Sequence, residues 1–157
     1  MTSEAFSERI VPMMQTLYRV CYSMLDRPCD REDAVQEALK KAWEKRDRLR
    51  EPRYMQTWVI RILINECHNI QSRGRREHFF DEPPERVAPP DAASAVLDAL
   101  LGLPAKLRLP VVLHYMEGYP VEDVARMLRL PVGTVKSRMA KARALLKDLL
   151  TEEASQP

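Results

Sequence analysis

The sequence predicts an all-α protein of two small helical domains joined by a Pro-rich acidic linker, the second domain containing a helix-turn-helix. Three observations carry that expectation. Apolar residues recur at spacings of three and four over most of the chain, which is the period of an amphipathic helix. Glycine occurs four times in 157 residues and aromatics make up only 6%, while Leu, Ala, Arg, Lys and Glu abound, a balance that favours helix over sheet. Between the two periodic regions, residues 79–91 carry Pro83, Pro84, Pro89 and Pro90 among Asp81, Glu82, Glu85 and Asp91. Such a stretch neither forms a helix nor packs a core. The boundaries drawn are 1–78 for the first domain, 79–92 for the linker and 93–151 for the second domain.

Each element has its own justification. A first helix is expected from about Ser3 to Leu25, with Phe6, Ile10, Met13, Leu17, Cys21 and Met24 on its apolar stripe. Arg27-Pro28-Cys29 breaks it. A second helix opens at Asp30, where an acid suits the positive helix end and Asp33 follows three residues on, as in a capping box. Ala34, Val35, Ala38, Leu39, Ala42 and Trp43 form its apolar stripe, and its other face, with Lys40, Lys41, Glu44, Lys45, Arg46 and Arg48, reads as solvated. Leu49–Tyr54 is a loop. A third helix runs from Met55 to Ser72 with Trp58, Val59, Ile62, Leu63, Cys67 and Ile70 on its buried side, and Gly74 stops it.

In the second domain, helices are expected over Ala93–Leu101 and from the Gly102-Leu103-Pro104 turn to Met116. Pro110 must lie in the first turn of the latter or kink it. After a turn at Glu117–Pro120, two helices, Val121–Leu128 and Val132–Leu150, are separated only by Arg129-Leu130-Pro131. That is the outline of a helix-turn-helix. Val124, Leu128, Leu130 and Val135 can close its small core, and Ala125 is small where the helices approach. Arg129 stands where such turns often carry Gly.

Charge points to the partner of that motif. The net charge of +2 says little, but Arg126, Arg129, Lys136, Arg138, Lys141, Arg143 and Lys147 follow one another with no Asp or Glu between Arg126 and Lys147. Solvated helices normally mix both signs. A one-sign run is expected where a polyanion offsets the repulsion. Lys136 and Lys141 are long enough to reach guanine edges in a major groove, and Ser137 can also face a base. Thr134 and Arg138 suit phosphates.

Taken together, these segments resemble the extracytoplasmic-function (ECF) group of bacterial RNA polymerase sigma factors. The resemblance rests on Asp33-Ala34-Val35-Gln36-Glu37 with Thr57-Trp58-Val59-Ile60-Arg61, and then on Leu103-Pro104, Tyr115-Met116-Glu117-Gly118-Tyr119, Gly133-Thr134-Val135-Lys136-Ser137-Arg138 and Lys141-Ala142-Arg143. It implies a promoter-recognition subunit without catalytic chemistry. Its first domain would bind the polymerase clamp and the minus-ten element, and its second the minus-35 element and the polymerase flap. Carried over, Asp33, Gln36, Glu37 and Leu39 would dock polymerase. Arg50, Arg53 and Tyr54 lie in the loop that would capture a flipped base of the opened strand. Arg61, Asn65 and His68 would face the upstream part of the minus-ten element, and Arg73, Arg75 and Arg76 phosphates. Trp58 is either a wedge against the duplex or a core residue, with core favoured; Trp43 is read as core. Thr134, Lys136, Ser137, Arg138, Lys141 and Arg143 would read the minus-35 element. An anti-sigma factor is a further implied partner. Pro120 departs from the family, which usually has a capping Ser there.

Other classes fit less well. A dimeric helix-turn-helix factor would leave the Asp33–Glu37 motif without a role. No nucleophile–base pair, metal spacing or Gly-rich phosphate loop is present, so no enzyme, cofactor, metal or small-molecule substrate is expected. Three scattered cysteines, the absence of a signal-like start and no apolar run near the roughly 20 residues of a membrane span fit a reduced, cytoplasmic setting outside the membrane.

Overall fold

The computed structural model describes residues 1–77 and 99–155, with side chains described through Gly74 and from Ala99 to Asp148. The expected linker over 79–92, and most of the helix expected at Ala93, lie outside the described residues. Among those described, all regular structure is helical and no strand occurs. The chain divides into two compact units, Met1–Val87 and Ala88–Pro157.

In the first unit, the single helix expected over Ser3–Leu25 is two. Helix α1 spans Ser3–Ile10, a 3₁₀ turn covers Val11–Met13, and α2 spans Met14–Met24. Pro12 is the cause. It has no N–H to donate to the Glu8 carbonyl, and its ring would clash with that carbonyl in a continuous helix. The apolar period survives the break, because Phe6, Ile10, Met13, Leu17 and Cys21 are all buried.

Helix α3, Pro28–Glu44, starts two residues before the expected Asp30. Pro28 does not break the chain there but begins the helix at its first position, where a missing N–H costs nothing. Asp30 is therefore a first-turn acid and not the cap, and no side chain caps this end. Arg31 instead secures the α2–α3 junction. It is buried, donates from Nε to the Leu25 carbonyl and from Nη2 to that of Asp26, both at 2.9 Å, and lies 4.5 Å above the Tyr22 ring.

Short 3₁₀ turns at Arg46–Arg48 and Pro52–Tyr54 lead into α4, Met55–Glu77. Helix α4 runs through Gly74, so the expected stop is not one. Glycine weakens a helix interior by roughly 1 kcal/mol but ends it only where the backbone turns left-handed, and Gly74 is not among the positive-φ residues. The core of the unit is the packing of α3 on α4, with α2 against both. Ala34, Ala38 and Ala42 are fully buried on α3, facing bulkier residues of α4: Val59, Ile60, Leu63 and Cys67. Ile60 and Ile64 are buried where the sequence pointed to Trp58, Ile62 and Ile70, which are half-buried. The buried stripe of α4 thus sits slightly further round the helix than the apolar pattern indicates, as expected for a helix packed against both α2 and α3. Cys21 and Cys67 meet in this core with sulfurs 3.9 Å apart, and that contact together with burial pushes the Cys21 thiol above its ordinary pKa.

In the second unit, α5 spans Ala105–Val111, followed by a π-helical turn at Val112–Met116. Of the two placements open for Pro110, the second holds. It lies inside α5, and the ladder widens just after it, with Glu117 N–H reaching the Val112 carbonyl at 3.0 Å. Gly118 then turns the chain at φ +79°. Helices α6, Val121–Leu128, and α7, Val132–Ser155, follow as expected, α7 extending beyond Leu150. Val124, Val135, Met139 and Ala142 are buried, while Leu128 and Leu130 are half-buried.

The turn between α6 and α7 is a Schellman motif. Leu130 N–H bonds the Ala125 carbonyl at 3.0 Å and Arg129 N–H that of Arg126 at 3.3 Å, which requires a left-handed residue between them. Arg129 supplies it at φ 55°, ψ 45°. A side chain with a Cβ is strained there, so Arg129→Gly should raise the stability of the second unit by about 0.5–1 kcal/mol in denaturant unfolding. No gain would show that the arginine is not strained. A second measurement tests the first unit. Cys29 is exposed and Cys21 and Cys67 are buried, so a thiol reagent at pH 8 should titrate one cysteine rapidly and the other two only on unfolding.

Candidate functional site

The first unit presents two polar surfaces. One is the outer side of α3. Burial of Ala34, Ala38 and Ala42 turns Asp33 and Gln36 into solvent, with Glu37 and Leu39 half-buried at the edges. Asp33, Gln36 and Glu37 line an open groove with Asn69, Ser72 and Arg73 of α4. Its floor holds an ion pair that the sequence reading missed: Lys41 Nζ donates to Glu66 Oε1. Glu66 is nearly buried, its side chain 7% exposed against 34% for Lys41. The bond to Glu66 holds the Lys41 ammonium above its ordinary pKa. No periodicity could have found this pair, because its members are on different helices and Glu66 sits in an apolar stripe.

The second surface is the solvent face of α4 and the loop before it. Arg61, Asn65 and His68, spaced four and three apart, are all exposed on one side, as the spacing predicts. His68 Nδ1 lies 3.2 Å from Gln71 Oε1. Arg73 is exposed; the side chains of Arg75 and Arg76 lie outside the described residues. Trp58 is half-buried next to this stripe, so it is neither a full core residue nor a free wedge. In the loop, Arg50 is exposed and Tyr54 is 45% exposed with the Arg53 guanidinium 4.8 Å above its ring. Arg53 also pairs with Glu51 at 2.6 Å, and Thr57 anchors the loop by donating to the Tyr54 carbonyl at 2.9 Å. A flat aromatic–guanidinium stack in solvent is a platform on which a base can stack. Trp43 is half-buried, edge-on to Phe6 at 5.3 Å and covered by Arg46 at 3.7 Å. Trp43 is therefore packed by its neighbours but not fully buried, short of the core role read from the sequence.

In the second unit, the exposed side of α7 carries the cations. Thr134, Ser137, Arg138 and Lys141, at helical spacings, line one groove, and Lys136 and Arg143, seven apart, lie on the opposite flank. Arg143 donates from Nη1 to the Tyr115 hydroxyl at 2.7 Å, on a ring 52% exposed. Arg126 is less free than the run of cations implies, since Asp123 stands 3.6 Å away one turn back. Pro120 precedes α6 without a side-chain cap, as its chemistry dictates.

Comparison with known proteins assigns these two units in order. Residues 11–77 match sigma-70 region 2 and residues 93–146 match sigma-70 region 4. The RNA polymerase sigma-H factor of Pseudomonas aeruginosa is 33% identical over 139 residues, covering 76% of this chain and 72% of that protein. The chain belongs to the ECF sigma factors of the sigma-70 family. The ECF RNA polymerase sigma factor SigM of Mycobacterium tuberculosis is 38% identical over 126 residues, 77% of this chain, and the match spans only 64% of its length. Among solved structures, the sigma factor RpoE of Bartonella quintana, crystallised with the anti-sigma factor NepR, matches at a TM-score of 0.80 and 28% identity, over 94% of this chain and 98% of its own. Among the described residues no helix is long and apolar enough to cross a membrane.

The buried pair beneath the α3 groove gives a test. Lys41→Ala strands a carboxylate in the interior, whereas Glu66→Gln leaves a lysine that can swing into water. Lys41→Ala should therefore cost on the order of 1–3 kcal/mol more in urea unfolding. Equal losses would show that Glu66 does not depend on Lys41.

Proposed function

We propose that this sigma factor binds core RNA polymerase and directs promoter-specific initiation through DNA contacts from both units. The observation that carries the reading is the pairing of the Asp33–Glu37 motif on the outer side of α3, in the region 2 unit, with a helix-turn-helix in the region 4 unit whose second helix carries exposed cations and no acid from Val132 to Lys147. Neither alone separates a sigma factor from an ordinary DNA-binding protein.

In this reading the domain at 1–78 docks the polymerase clamp through Asp33, Gln36, Glu37 and Leu39. It then recognises and opens the minus-ten element. Tyr54 and Arg53 form the platform for an extruded base, which must offset an unstacking cost of a few kcal/mol. Arg50, Arg61, Asn65, His68, Arg73, Arg75 and Arg76 border the DNA, with Trp58 at its edge. The segment 79–92 is a tether to the domain at 93–151, which contacts the polymerase flap and reads the minus-35 element through Thr134, Lys136, Ser137, Arg138, Lys141 and Arg143. The protein makes no covalent change of its own; binding energy drives strand opening. It acts in the cytoplasm. An anti-sigma factor controls it, a role supported by the relative from Bartonella quintana that was captured with one.

Run-off transcription on genomic fragments tests the proposal. Bacterial core polymerase with this chain should start at defined positions where core alone does not, and Glu37→Lys should weaken core binding at least tenfold. Equal initiation by core alone would end the idea. Tight binding to a two-fold symmetric duplex without polymerase would support a dimeric repressor or activator in its place.

A further inference from the structure

We propose that Lys106, which lies outside the recognition helix, completes a seat for a DNA phosphodiester together with Thr134, Ser137, Arg138 and Lys141 of α7. The inference rests on the DNA-binding reading of the second unit and adds to it a backbone contact from α5.

The placement follows from packing. Pro104, at φ −54° and ψ 144°, turns the chain into α5. Leu107, Leu109 and Val111 are buried, and α5 packs directly on α7. With Leu107 buried, Lys106 is rotated about 100° away from it, exposed on the rim of the same groove. Across that groove, Thr134, Ser137, Arg138 and Lys141 form one face of α7 at spacings of three, four and seven. Arg138 is half-buried and so is held in place more firmly than a fully exposed cation.

The chemistry of this groove is one-sided. Three cations and two hydroxyls line it, and no Asp or Glu does. Among the described residues none of the three cations is in an ion pair. Three like charges converging on one groove repel each other unless an anion sits between them. The donors also suit the anion: ammonium and guanidinium groups and hydroxyls all donate to the non-bridging oxygens of a phosphate. A phosphodiester of duplex DNA fits better than a free phosphate, because Lys136 and Arg143 stand exposed on the opposite flank of α7, and a helix laid in a DNA groove meets a phosphate strand on each side. Lys141 then belongs with the backbone contacts and not with the base readers.

The test is the salt dependence of duplex binding by the full chain, followed by fluorescence anisotropy with two unrelated random-sequence duplexes of about 30 bp, spanning several helical turns. Each phosphate contact contributes about 0.9 to the slope of log affinity against log salt concentration. Lys106→Ala should reduce that slope by about 0.9 and weaken both duplexes equally, severalfold at 100 mM salt. Lys106→Arg should restore the slope. Lys45→Ala, which removes the same charge from the first unit, should leave it unchanged. An unaltered slope in Lys106→Ala, or a change no larger than in Lys45→Ala, would overturn the seat while leaving sigma activity in run-off untouched. Lack of any duplex binding at about 20 mM salt, where screening is weak, would overturn it as well. So would displacement of DNA by millimolar inorganic phosphate, which would mark a small-anion pocket. Circular dichroism of each variant separates loss of contact from loss of fold.

Discussion

The two candidate surfaces of the first unit depend on how closely α3 lies against α4. Ala34, Ala38 and Ala42 are fully buried at that interface and offer almost no side-chain bulk. The backbone of α3 can therefore approach the Val59–Leu63–Cys67 stripe closely, and dispersion across the contact supplies packing energy in place of large side chains. This constraint fixes the rotation of both helices. With the alanines inward, Asp33 and Gln36 face solvent; with Val59 and Leu63 inward, Arg61, Asn65 and His68 face solvent on the far side of α4. A larger residue at Ala38 would push the helices apart and turn both surfaces at once. Packing and function are thus coupled through residues that touch no partner.

Chain direction is managed by backbone chemistry at a few positions, and proline acts differently at each. Pro12 divides one apolar period between two helices. Pro28 starts a helix. Pro110 sits within one and is followed by a π turn. The residue is the same each time; what differs is whether the N–H it lacks was needed by the fold. Arg129 is the converse case, a residue with a Cβ held left-handed because the Schellman bonds between α6 and α7 demand that geometry. Arg129 keeps a cation at this turn, where glycine would be less strained.

Electrostatics divide the molecule by sign and by depth. The α3 groove mixes acids with a lysine, and its one nearly buried carboxylate is matched by Lys41. The α7 groove holds Lys106, Arg138 and Lys141 with no acid among its lining, and Lys106 and Lys141 are exposed. The first arrangement balances its charge within the protein; the second does not.

Much of this was legible in the linear chain. Apolar spacing placed helices over the described regions, though not the break at Pro12 or the π turn after Pro110. The run of cations from Arg126 to Lys147 marked one candidate face, and the Asp33–Glu37 motif, read by resemblance, marked the other. What periodicity could not reveal is anything that depends on a neighbour. The pattern around Trp58 does not say which of two adjacent helices α4 leans on, so Ile60 and Ile64 went unrecognised as core. Arg31 and Glu66 gain their roles from carbonyls and a lysine contributed by other elements, and Lys106 its place beside a groove that α7 lines. An all-helical chain, a short acidic motif on one helix and a run of cations on another are legible in the linear chain, since those are properties of single segments. Which charges are paired and which stand open is set by the tertiary structure, because that depends on distances between helices that local propensity does not encode.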